Sequence, residues 1–114
     1  MIEQIETCCK HVLQRNVRFV LNDRKILRRG KLLLFNVNDY YINFTIKTNK
    51  NVKKNYEIFY PYNCTHDKLL RRIEFSYKLD DLCTDKELIQ AIRDSSKDNN
   101  HVFHDSVVYI YYDA

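Results

Sequence analysis

One glycine and one proline in 114 residues leave little from which to build tight turns. A glycine-rich phosphate loop is excluded, since a single glycine cannot supply it. Loops must rely on Asn and Asp, which tolerate left-handed backbone better than other residues. No apolar run approaches the ~20 residues of a membrane span, so no membrane partner is expected. The N-terminus is acidic and amphipathic rather than basic and then apolar, so no signal peptide is expected either. An intracellular, reducing setting follows, in the cytoplasm, the nucleus or both, with free thiols. In that setting the glycosylation patterns at Asn43 and Asn63 are chance matches.

Catalytic and metal-binding signatures are scarce. Cys8, Cys9, Cys64 and Cys83 form no C-x-x-C pair, and with His11, His66, His101 and His104 they give no usual zinc spacing. No Ser, His and Asp arrangement has a recognisable elbow. Asp80 and Asp81 are adjacent and would point apart, and nothing orients Cys64 with His66 as nucleophile and base. The expectation is a non-enzymatic protein with no metal and no cofactor.

The charge is mildly basic, +4 from 19 basic and 15 acidic residues, which permits a nucleic-acid partner without demanding one. Two runs concentrate it: Arg24, Lys25, Arg28, Arg29 and Lys31, then Lys47, Lys50, Lys53 and Lys54. Both read as solvated loops or strand edges.

Hydrophobic spacing orders the chain. Ile2, Ile5, Cys9, Val12 and Leu13 make one apolar stripe, predicting a helix over 2–15. Val17, Phe19 and Leu21 alternate with polar residues, and Asn22-Asp23-Arg24 signals a turn. A long strand over 26–37 contains Gly30, which marks a sharp bend or a close backbone approach; a strong curl is expected there. Tyr40, Ile42, Phe44 and Ile46 alternate with Tyr41, Asn43, Thr45 and Lys47. Residues 47–55 read as a cationic loop, 56–62 as a strand ended by Pro61 and the Asn63–Asp67 cluster, and Leu69 to Leu79 as one more strand. Thr84-Asp85-Lys86-Glu87 is a capping box opening a helix to about Asp94. Ser106 to Tyr112 is a final strand, apolar on both faces.

Residues 17–46, VRFVLNDRKILRRGKLLLFNVNDYYINFTI, and the terminal VFHDSVVYIYYD place an alternating strand, Gly30 in G-x-L, and Asp39, Tyr41, Ile42 and Asn43 in order. This organisation resembles the Sm and Sm-like proteins over roughly 2–47 and 101–113. The resemblance implies a mainly β, α+β single domain over 1–114. Its N-terminal helix would precede a strongly bent five-stranded antiparallel sheet or small barrel, with a long insertion at about 48–98 between the third and fourth strands. It makes Gly30 critical to the fold. It also implies a base pocket in which Tyr41 stacks, Asn43 bonds a base edge, Asp39 holds the loop and His104 stands where the family has Arg. Departures are plain: Asp39 lies nine residues beyond Gly30, with Asn36 nearer the family's spacing, and His104-Asp105 replaces Arg-Gly.

Those departures favour a protein-binding member, similar to the Gemin Sm-like subunits of the SMN complex. Such a protein acts in ribonucleoprotein assembly or RNA processing by pairing strands with other Sm-like chains, as a heterodimer or ring. Val107, Val108, Tyr109, Ile110, Tyr111 and Tyr112 are then the expected interface. One alternative is an RNA-binding ring subunit that recognises uridine-rich single strands. Another is an unrelated small α+β adaptor.

Overall fold

Alternation dominates this chain, and a computed structural model, which describes residues 1–78 and 105–113, is accordingly mostly strand. One helix, α1 (Ile2–Val12), precedes β1 (Asn16–Leu21), β2 (Lys25–Val37), β3 (Tyr41–Lys47) and β4 (Lys53–Phe59). After these come β5 (Asn63–Asp67), β6 (Arg72–Lys78) and β7 (Asp105–Tyr112). All seven strands join one antiparallel sheet in the order β4-β3-β2-β1-β7-β6-β5.

The helix forms because its apolar residues share one face, with Ile5, Cys8, Cys9 and Val12 buried. Glu3 in the first turn and Lys10 and His11 in the last suit the helix dipole. It stops three residues short of the expected end. Leu13 leaves helical geometry at ψ 136°, and Gln14 takes φ 66°. The backbone there is claimed by β2: Gln14 N–H donates to Leu32 O at 2.7 Å, and Leu32 N–H donates to Arg15 O at 3.0 Å.

Turns are made with the residues the scarcity of glycine leaves. Asn22, Asp23 and Asn51 are three of the five non-glycine residues with positive φ among those described. Asn22 and Asp23 turn β1 into β2, and the Asn22 side chain accepts from Val107 N–H at 2.9 Å. Left-handed Asn and Asp match the twist a hairpin needs.

The core lies on one face of the sheet, beneath α1. Phe19, Phe44 and Tyr56 meet edge to face there, with centroids 4.9 and 5.1 Å from Phe19. Leu32, Ile42, Ile58, Ile73, Phe75, Val108 and Ile110 are buried beside them. The helix packs on both β2 and β5, and its Gln4 amide donates to Cys64 O. Cys8, Cys9 and Cys64 are free, buried thiols. Burial pushes the Cys9 thiol above its ordinary value.

This architecture corrects the expected fold. The sheet has seven strands and is open; it is not a strongly bent five-stranded barrel. Residues 53–78, expected to form part of an insertion, supply β4, β5 and β6 of the same sheet. Nor does Gly30 fold β2 back, for the strand continues through it from Lys25 to Val37. The glycine serves a close approach instead. A Cβ at Gly30 would lie 2.5 Å from both Lys47 O and Ile46 Cγ2, and its φ is 153°. Only a residue without Cβ lets the end of β3 cross there.

The strand expected over Leu69 to Leu79 is β6 but starts only at Arg72, and the Asn63–Asp67 cluster, expected to end a strand, is itself β5, so the two form a hairpin. Leu69 and Leu70 sit in its turn, 95% and 54% exposed. The Asp67 carboxylate accepts from Leu70 N–H at 3.0 Å, and Arg71 takes φ 51° to close the turn. The expected capping box at Thr84–Glu87 and its helix lie outside the described residues.

Candidate functional site

Strand alternation sends every second side chain away from α1 and the core. On β1, Val17 and Phe19 point inward, so Arg18 points outward and is exposed. The register then decides what stands beside it. Arg18 pairs with Arg29 of β2 on one side and with Tyr111 of β7 on the other. Tyr111 in turn pairs with Arg72 of β6. One row of the outer face therefore reads Arg29, Arg18, Tyr111, Arg72 across four strands.

The next row along β1 and β2 is also basic. Asn16 pairs with Lys31, Lys31 with Lys47, and Lys47 with Lys53. Six cations from five strands thus share one face. Of the two basic runs, expected as solvated loops or strand edges, Arg29, Lys31 and Lys47 stand in these rows on inner strands β2 and β3, and Lys53 on the outermost strand β4.

The tyrosines are held by arginine. The Arg18 guanidinium lies 5.2 Å from the Tyr111 ring centroid. Arg72 lies 4.5 Å from that of Tyr109 and 6.0 Å from that of Tyr111. Its Nη1 also donates to the Tyr111 hydroxyl at 3.2 Å, and its Nε to Glu74 Oε1 at 3.1 Å. The Tyr111 hydroxyl donates to Asp23 Oδ1. Burial, and then the bond to Asp23, raise the Tyr111 phenol above its ordinary value, so it stays a neutral donor. The Tyr111 hydroxyl likewise raises the Arg72 guanidinium, fixing its charge.

A hollow of about 150 Å³ opens within the Arg18 row, lined by Asn16, Val17, Arg18, Arg29, Gly30, Asn49, Tyr111 and Asp113, the last an acid among the basic groups. A second, of about 370 Å³, continues from Arg29 and Asn49 to Thr48, Lys50 and Lys54. Guanidinium planes, phenol rings, amides and ammonium groups together suit a ligand that alternates flat rings with anions.

The residues singled out from sequence fall elsewhere. Tyr41 and Asn43 do face outward on β3 and are half-buried. Tyr41 pairs with Phe59, and Asn43 lies between Asn36 and Glu57. At the usual strand rise, Tyr41 is about 20 Å from Lys47, at the far end of the strand. Asp39 is exposed in the β2–β3 turn. The side-chain bonds in that turn come from Asn38, whose Oδ1 accepts from Tyr40 N–H at 2.8 Å and Tyr41 N–H at 2.9 Å. His104 lies outside the described residues.

The expected strand interface is central in the sheet. β7 lies between β1 and β6, so both of its backbone edges pair within the chain. Val108, Ile110 and Tyr112 are buried inward, while Val107, Tyr109 and Tyr111 are half-buried on the outer face. Among the described residues, the outermost strands of the sheet are β4 and β5.

No group of three His, Cys, Asp or Glu side chains that could hold a metal ion occurs among the described residues. Among them, too, no helix is long and apolar enough to cross a membrane. Comparison with known proteins finds no match to this chain among family models, curated proteins or solved structures.

Proposed function

We propose that this chain binds single-stranded nucleic acid, RNA in the first instance, across the outer face of its sheet, without catalysing a reaction. The observation that carries the reading is the row Arg29, Arg18, Tyr111, Arg72 beside the row Lys31, Lys47, Lys53. Lysines on the outer face meet phosphates, while arginine and tyrosine planes offer surfaces on which unpaired bases stack. Of the roles implied by the Sm-like resemblance, RNA binding is the one this face supports. Assembly through β7 is less well supported, because a partner strand would have to displace β1 or β6.

Fluorescence anisotropy with a labelled uridine-rich 12-mer (about the length such a face could track), alone and annealed to its complement, tests the reading. The single strand is expected to bind at least tenfold more tightly than the duplex, whose bases are already stacked on one another. Equal binding of both would reduce the face to a general polyanion surface and contradict the stacking role. No binding of either at low salt would contradict the proposal.

A further inference from the structure

The two hollows of the outer face share Arg29 and Asn49, yet they differ in charge. The smaller sets Arg18 and Arg29 against Asp113 and holds the Tyr111 ring. The larger gathers Arg29, Lys50 and Lys54 with Thr48 and Asn49, and no acid lines it. Along the second row, by contrast, Lys31, Lys47 and Lys53 stand one to a strand, roughly 5 Å apart across the ladder. Three cations around one opening are more than a single phosphate inside a strand needs.

The frame of the larger hollow is local and bonded. β3 ends at Lys47 and β4 begins at Lys53. Between them Thr48 N–H donates to Val52 O and Asn51 N–H to Thr48 O, each at 2.9 Å, with Asn51 at φ 66°. That closes the turn and leaves Asn49 and Lys50 at its tip. Arg29 joins them because its neighbour Gly30, without a Cβ, lets the backbone of Lys47 come close.

Charge then narrows the ligand. A phosphodiester inside a strand carries one negative charge on two free oxygens. A phosphate monoester at a strand end has three free oxygens and a charge of about −1.5 to −2 at pH 7. One guanidinium and two ammonium groups can give each of those oxygens a charge-assisted hydrogen bond. In the adjoining hollow, the Arg18 guanidinium and the Tyr111 ring offer planes for the base that carries this phosphate.

We infer that the hollow between β2 and the β3–β4 turn binds the phosphate monoester at one end of a single strand, with the terminal base on the Arg18–Tyr111 surface. The inference rests on the nucleic-acid reading of the outer face and adds a preference for strands that end in phosphate. A nucleic-acid strand has polarity, so the favoured phosphate is on its 5′ end or its 3′ end, not on both alike.

The test is competition against an internally labelled uridine-rich 12-mer by three unlabelled 12-mers of the same sequence. One has hydroxyls at both ends, one a 5′-phosphate and one a 3′-phosphate. One phosphorylated form is expected to compete about tenfold better than the hydroxyl form, and the other within about twofold of it. Lys50→Gln/Lys54→Gln should remove most of that gain and weaken the hydroxyl form much less. The urea midpoint should not change, since both side chains are exposed. Equal competition by all three would overturn the inference. So would an equal gain from either phosphate, which is general attraction to the face, or a gain that survives in the double variant. In each of those outcomes the labelled strand still binds and the reading of the outer face stands. Failure of the labelled strand to bind at low salt contradicts that reading, and this inference with it.

Discussion

The guanidinium of Arg18 lies 5.2 Å from the ring of Tyr111, its partner across the β1–β7 ladder. Ninety-three positions separate the two in sequence, and only the register brings them together. The contact makes one broad surface from a cation and a phenol. Arg18→Ala should therefore weaken binding of a uridine-rich single strand by about tenfold, in line with ~1–3 kcal/mol for each stacked base. Arg18→Lys, which keeps the charge without the plane, should recover less than half of the lost free energy. Anisotropy titrations of the two variants read the difference.

Gly30→Ala should destabilise the fold by about 2–4 kcal/mol, from a strained φ and a steric clash together. The added Cβ would meet Lys47 O and Ile46 Cγ2 at 2.5 Å, and the backbone oxygen cannot rotate away. Urea denaturation measures the loss. An unchanged midpoint would mean that the end of β3 does not cross so close to β2.

Phe19→Ala should cost about 3–5 kcal/mol, the usual range for removing a fully buried ring. Phe19 is 0% exposed and stands edge-on to both Phe44 and Tyr56. Because those rings come from β3 and β4, the variant should also lower hydrogen-exchange protection in these two strands more than in β5.

Acidification should destabilise the protein through His66. Its imidazole is held below its ordinary value by burial, then by His11 and Lys68, with Asp67 opposing. The rings of His11 and His66 lie 4.6 Å apart, and His66 Nε2 lies 2.7 Å from the Tyr112 hydroxyl. The unfolded chain takes up this proton at a higher pH than the folded protein does, so stability falls as pH drops through 6.5 and below. His66→Gln should flatten that slope between pH 7 and 5 in melts followed by circular dichroism. A slope identical to the parent's would place the titrating group elsewhere.

Much of the fold is legible in the sequence wherever one face is buried. Ile42, Phe44 and Ile46 alternate with polar residues, and β3 buries those three. The stripe of Ile5, Cys9 and Val12 likewise gives α1 and the side it buries. The start of β6 is displaced because Leu69 and Leu70 look like core, while Asp67 and Arg71 close a turn around them, and β5 is obscured because Asn63–Asp67 reads as a polar cluster that ends a strand. The expected curl at Gly30 gives way to a crossing, because the glycine's partner is the backbone of residue 47, which a local reading does not place beside residue 30.

The candidate site was less legible still. Arg18, Arg29, Arg72 and Tyr111 carry no shared motif, and their adjacency is a product of strand order and register. The outward positions of Arg18 and Arg29 could have been read from alternation alone. That they stand beside Arg72 could not.

The most direct measurement is the salt dependence of RNA binding by the parent chain and by the double reversal Lys31→Glu/Lys47→Glu. For four to six phosphate contacts, affinity should fall roughly 50–300-fold between 50 and 200 mM salt, from a slope of about 0.7 per contact on single strands. The double variant should bind at least a hundredfold more weakly at 50 mM and show a slope shallower by about 1.4, with an unchanged urea midpoint. A parent chain whose affinity ignores salt, or a double variant that binds like the parent, would contradict the assignment of the outer face.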